Sequence, residues 1–182
     1  MKLIVISNPT PISNEINLAT QLFENGLEIF HIHKPNFSEE EIQNYIQQFP
    51  EKYHDRIFLH SQFSKFHSLK ELEECKEKYE YAFLSPIFDS ISKVGYKSKF
   101  SHELHQFTRN KLEKISVISG KNIFALGGID EDKIEICREL GFAGVAVLGA
   151  IWQNENPVEK FIRIKKTCHS FRVMKNESVT LL

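Results

Sequence analysis

The stretch from Asn122 to Trp152, NIFALGGIDEDKIEICRELGFAGVAVLGAIW, limits the folds open to this chain more than any other. It holds an apolar run at Ile123 to Leu126, a Gly127-Gly128 turn, and a helical pattern carrying Ile129, Ile134, Ile136, Cys137 and Leu140 inward. A stop at Gly141 follows, then a second apolar run at Val145 to Leu148 that ends at Gly149. Buried parallel strands read as unbroken apolar runs, and a short helix between two of them makes a βαβ unit. Each glycine corner follows the C-terminal end of a strand and precedes a helix start, where backbone N–H groups and the helix dipole favour a phosphate. Glycine after a strand also serves tight turns alone, so the corners by themselves leave both readings open.

The same alternation runs through the rest of the chain. Leu3 to Ile6 reads as the first strand, broken by Asn8-Pro9-Thr10-Pro11; Ser13 is the expected N-cap of a helix that turns Ile16, Ala19, Leu22 and Phe23 inward and ends at Asn25-Gly26. Leu27 to Ile32 is the second strand. Ser38 with Glu41 has capping-box spacing, and the helix it opens carries Ile42, Tyr45, Ile46 and Phe49 until Pro50. Arg56 to His60 is the third strand. Ser61 to Phe66 is short and mixed, His67-Ser68-Leu69 opens a charged helix, and Tyr81 to Ser85 is a fourth strand. A polar loop from Pro86 to Lys99 leads to a helix capped by Ser101 and running to about Ile118, and Pro157 to Lys166 closes the pattern. One domain over 1–167 and a tail over 168–182 are expected.

Strand–helix alternation selects an α/β fold with a parallel sheet. Six strand-like runs suit an open doubly wound sheet, because a (β/α)₈ barrel needs eight strands and typically more than about 200 residues. At 182 residues with 41% apolar and 26% charged side chains, the composition is that of an ordinary globular domain. A net charge of −1 makes no electrostatic case for nucleic acid. No apolar run approaches the ~20 residues of a membrane span, and MKLIVISNPTP is too short in its apolar part for a secretory signal. Cys75, Cys137 and Cys168 are odd in number and lack a close pair, so neither a disulfide framework nor a cysteine metal site is expected, and a reducing cytoplasm is the expected location.

Four segments resemble the thiamine phosphate synthase/TenI superfamily: Phe30 to Pro35 in place of a second-strand QLREK-type motif, HSLKELEE at 67 to 74, YAFLSPIFDSISKVGY at 81 to 96, and ALGGI with GVAVLGAI at 125 to 129 and 144 to 151. The resemblance implies a TIM-barrel-type parallel barrel, incomplete between strand three and the strand at Tyr81. Family members carry two further strands in that interval, which here holds only Ser61 to Phe66. A contracted wall, a substitute strand from Ser64 to His67, or a second copy in a homodimer could each cover the gap.

Departures from the motifs favour the TenI-like, thiazole tautomerase branch. Synthases hold pyrophosphate with an arginine and a lysine where this chain has His33 and Pro35, and use Asn-Asp where it has His60 and Ser61. Losing those cations and that carboxylate removes what a magnesium-bound pyrophosphate requires. Magnesium is therefore expected only if synthase activity is retained, and no other cofactor is expected. By resemblance, Lys93, Ser90 and Ser92 with Gly127, Gly128 and Gly149 would hold a phosphorylated heteroaromatic ligand, and His67 would transfer the proton. An imidazole, with an ordinary pKa near ~6.5, suits that task at neutral pH, although a histidine at a helix start also serves as a plain capping residue. His31, His33 and His60 fall at strand positions that can face a common pocket; without a close-spaced helical pair they are expected to touch substrate rather than zinc. The expected activity is tautomerisation of a thiazole phosphate carboxylate, with thiamine phosphate synthase activity or non-catalytic phosphate-ligand binding as alternatives.

Overall fold

The computed structural model describes residues 1–75, 79–91, 98, 100 and 122–170. Among them, seven strands form one parallel sheet: β1 (Lys2–Ile6), β2 (Ile29–Ile32), β3 (Ile57–Leu59), β4 (Lys65–Phe66), β5 (Tyr81–Leu84), β6 (Asn122–Leu126) and β7 (Gly144–Val147). The helices are α1 (Glu15–Glu24), α2 (Glu39–Gln47), α3 (Leu69–Glu74), α4 (Ile134–Glu139), α5 (Gly149–Trp152) and α6 (Pro157–His169). Ser61 to Phe66, which gave no clear strand signal, thus supplies β4 through its last two residues. The helix expected after Ser101 lies outside the described residues.

Strand order is β3-β2-β1-β7-β6-β5-β4, with β1 beside β7. Each strand neighbours its predecessor or successor in the chain, which is the order of a barrel cut once and not of a doubly wound sheet, whose order reverses partway. The sheet is strongly curled. Four strand spacings, about 19 Å at ~4.8 Å each, would separate β2 from β5 if it were flat. Instead the rings of His31 on β2 and Phe83 on β5 stand 5.5 Å apart. The molecule is therefore a TIM-barrel-type fold left open between β3 and β4.

Side-chain alternation sorts the strands into two cores. Leu3, Val5, Ala82, Leu84, Ile123, Ala125, Val145 and Val147 face the helices, whereas Ile4, Ile6, Tyr81, Phe83, Phe124 and Ala146 fill the barrel. Gly144 points into that interior, where a β-carbon would overlap the Phe124 ring. Two local expectations change. Asn14 rather than Ser13 caps α1, with φ 62° and no side-chain cap bond, a conformation that asparagine tolerates better than serine does. Ile136 is exposed, because the buried positions 134, 137 and 140 step by three along one helix face and leave 136 on the other. The capping box of Ser38 and Glu41 and the N-cap of Ser68 are both present.

One buried ion pair joins the segments that follow β1 and β2. Lys34 Nζ meets Glu15 Oε2 at 2.5 Å with both side chains nearly inaccessible, and it also donates to the Asn8 carbonyl at 2.7 Å. The Asn8 N–H donates to the other oxygen of Glu15 at 2.9 Å, and the Tyr45 ring covers the ammonium at 5.2 Å. A charge left alone in such a place is expensive. Glu15→Gln is expected to lower stability by about 3–5 kcal/mol in urea denaturation, and the double change Glu15→Leu/Lys34→Met to recover most of it. A loss under about 1 kcal/mol for the single change would show that the pair is dispensable.

Candidate functional site

A cavity of about 270 Å³ opens at the C-terminal ends of the strands, where barrel enzymes place their chemistry. One side is made by the two glycine corners, Gly127-Gly128 after β6 and Gly149 at the start of α5; the other by His33 after β2, His60 after β3 and Lys65 on β4. Ser85, Pro86, Ser90 and Ile91 complete the rim, while Ile6, Leu126 and Ala146 are apolar wall.

The glycine corner has its shape because the loop after β5 lies directly on it. Gly127 and Gly128 have φ of 95° and 64°, which other residues rarely adopt. A β-carbon at Gly127 would stand 2.7 Å from Pro86 Cβ, and one at Gly128 would overlap the Asp89 carbonyl. Backbone bonds from Ile87 N–H to Leu126 O (2.9 Å) and Phe88 N–H to Gly127 O (3.1 Å) fasten the loop there. Ser90 is thereby carried to the cavity. Ser92 and Lys93, expected beside it, lie outside the described residues.

On the opposite side, β1 positions β2. Ser7 N–H donates to His31 O at 2.8 Å and His33 N–H donates to Ser7 Oγ at 2.8 Å, which sets His33 at the cavity edge. His31 is not at the surface of the cavity: it lies beneath, fully buried, its Nδ1 3.2 Å from Nδ1 of His60 and its Nε2 2.7 Å from the Tyr81 hydroxyl. The stacked pair Phe63–Tyr81, with centroids 4.4 Å apart, and Phe83, 5.0 Å from His60, complete this floor. Burial, with the nearby Lys65 ammonium adding to it, pushes His31 down to about 3 and His60 down to about 2, so both rings are neutral. Burial also pulls Lys65 below the ordinary lysine value.

His67 stands outside the cavity lining. Its ring is exposed, its Nδ1 is 2.9 Å from the Ser85 carbonyl, and its N–H donates to Glu71 Oε2 at 2.8 Å. Because a carbonyl only accepts, Nδ1 carries the proton and Nε2 keeps its lone pair in the neutral ring. Lys65 and Tyr81 are the polar residues that sequence reasoning missed. No local pattern marked Lys65: only once the structure assigns Phe66 to the helix-facing core must its neighbour point inward.

The site thus offers the neutral His60 imidazole, the His33 ring, one ammonium and glycine backbone, and among its described lining residues there is no carboxylate. Such a set suits an anion. It does not fit magnesium, which takes oxygen ligands and usually one or two carboxylates.

The neutral histidines also set a pH dependence. Unfolded histidine binds a proton below about pH 6.5, whereas His31 and His60 stay unprotonated in the fold to about 3 and about 2. The unfolded chain therefore binds more protons as pH falls, and stability is lost from about pH 6.5 downward, by up to about 1.4 kcal/mol per pH unit for each ring. Urea midpoints are expected to drop steadily between about pH 7 and about pH 5; a flat profile over that interval would show that the rings protonate freely in the fold.

No family model matches the chain. Over 86 residues it is 32% identical to the thiamine-phosphate synthase of Limosilactobacillus reuteri, a match covering 47% of this chain and little more than a third (37%) of that curated relative's length. The thiamine phosphate pyrophosphorylase of Bacteroides thetaiotaomicron is similar along nearly its whole structure: TM-score 0.72 and 30% identity, over 92% of this chain and 97% of that one. The thiamine phosphate pyrophosphorylase of Pyrococcus furiosus shares the fold, with TM-score 0.69 at 16% identity over 92% and 95% of the two chains. With 30% identity sustained across the length of the Bacteroides protein, and the glycine corners placed at one cavity, this chain belongs to the thiamine-phosphate synthase family.

Proposed function

We propose that this protein binds a thiazole phosphate at the C-terminal ends of its strands and catalyses TenI-like proton transfer on a thiazole phosphate carboxylate. The observation that carries the reading is that both glycine corners and the Lys65 ammonium share one cavity whose described lining holds no carboxylate. A monoester dianion lies against Gly128 and Gly149, where backbone can approach closely, and Lys65 supplies the opposite charge. His33 and His60, standing where synthases carry an arginine and an asparagine, leave no cation pair for a pyrophosphate and no hard ligand for magnesium among the described lining residues. That composition favours the isomerase over the synthase.

His67 is the base in this proposal. With Nδ1–H held by the Ser85 carbonyl, Nε2 removes a proton from one carbon of the ligand, and the resulting imidazolium returns it at another. The reading is supported by the contact of His67 with Ser85, a residue of the cavity lining. The exposure of His67 and its position outside the lining favour a second reading, a phosphate-ligand binder without catalysis.

Titration calorimetry with thiazole phosphate carboxylate, and with the pyrimidine pyrophosphate in the presence and absence of magnesium, tests the assignment. Binding of the thiazole alone is expected; tight, magnesium-dependent binding of the pyrimidine would overturn it. Lys65→Met is expected to weaken thiazole phosphate binding about 10- to 100-fold, the loss of one charge-assisted bond. His67→Ala is expected to leave binding in place and slow proton exchange at least about 100-fold. If the unaltered protein exchanges no proton while binding the ligand, the second reading holds.

A further inference from the structure

The floor of the cavity contains a chain of polar groups that the proton transfer does not use. His60 lies at the cavity with its Nδ1 3.2 Å from Nδ1 of His31, whose Nε2 is 2.7 Å from the hydroxyl of Tyr81. His60 and Tyr81 are only 3% and 7% exposed, and His31 is fully buried. Three groups in a row leave two possible directions for the protons, and each direction gives the cavity a different atom.

In the first direction His60 Nδ1–H donates to His31 and His31 Nε2–H donates to the Tyr81 oxygen. The phenol hydrogen then needs an acceptor of its own, and none is present among the described residues. In the second, Tyr81 O–H donates to His31 Nε2, His31 Nδ1–H donates to His60 Nδ1, and His60 is left with its hydrogen on Nε2. Here the one donor left without a protein acceptor is His60 Nε2–H, on a residue that lines the cavity, where ligand or water can accept it. An unmet buried donor disfavours the first direction by about 10-fold or more in population. Both rings are neutral, as their burial requires, so exactly one hydrogen lies between the two Nδ1 atoms and the second direction is self-consistent.

We propose that His60 is a specificity-determining residue that presents a neutral Nε2–H donor to an anionic oxygen of the ligand, and that His31 and Tyr81 are positioning residues that set this tautomer. The aromatic contacts hold the chain in place: Phe63 stacks on Tyr81 and lies 4.5 Å from His31, and Phe83 packs edge-on to His31. A neutral donor selects for oxyanion and against cation. A metal ion would need the lone pair that this tautomer places on the buried side, in the bond from His31. The ligand class rests on the thiazole phosphate reading; the tautomer does not.

Long-range proton–nitrogen correlation spectra of the ligand-free protein labelled with ¹⁵N-histidine test the assignment directly. His60 is expected to show a protonated, pyrrole-type Nε2 and an unprotonated Nδ1. Tyr81→Phe removes the first donor in the chain; the His60 signals are then expected to move toward the opposite tautomer, with affinity for thiazole phosphate carboxylate falling about 10-fold. A structural role for Tyr81 alone would not move the tautomer. An unprotonated His60 Nε2 in the unaltered protein overturns the proposal without any variant having to fold, and so does a Tyr81→Phe protein whose His60 signals are unchanged. If the tautomer is as proposed and the thiazole does not bind, the donor stands and the ligand reading falls.

Discussion

Parallel strands lie side by side only when the chain between them can cross over, which takes a dozen or more residues and usually a helix. Between β3, ending at Leu59, and β4, beginning at Lys65, there are too few. These two strands therefore cannot pair, and the barrel must stay open at that point. What would otherwise be an unpaired gap is closed by side chains. His60 and Phe63, from the short link itself, reach across to His31, Tyr81 and Phe83 and fill the interior with packed rings. Aromatic groups serve this purpose because each covers a large area and edge-to-face contacts add to the gain from burial.

The same constraint shapes the cavity above. A floor made of rings places it at the strand ends, and the link that could not become a crossover brings His60 and Lys65 to its wall. Opposite them, the loop after β5 presses on Gly127 and Gly128 so closely that a side chain at either would collide with it. One wall is thus fixed by backbone packing and the other by the buried Lys34–Glu15 pair, which ties together the segments after β1 and β2 next to His33. Preorganised polar groups of this kind need little rearrangement when an anion arrives.

Much of the architecture was legible in the chain of residues. Apolar runs located six of the strands, and glycine corners were expected where the cavity now has them, because buried strands and tight turns have strong local signatures. The serine cap at position 38 followed from capping chemistry alone. Alternation alone did not separate a barrel from a doubly wound sheet, since it is the same in both; the incomplete barrel came from the family resemblance, and the β1–β7 pairing with the Lys65–Phe66 strand bears it out. A two-residue strand is too short to show a period. The burial of His31 depends on Tyr81, fifty positions away, and no local pattern reports such a contact. Ser92 and Lys93, expected at the site, lie outside the described residues.

The decisive measurement is a crystal structure of the protein with thiazole phosphate carboxylate bound. Phosphate density within hydrogen-bonding distance of the Gly128 and Gly149 backbone, with the Lys65 ammonium beside it, is the predicted result. Density for the phosphate at any other place, such as the shallow cleft between α1 and α2 lined by Asn17, Thr20 and Asn44, would contradict the assignment of the strand-end cavity as the site.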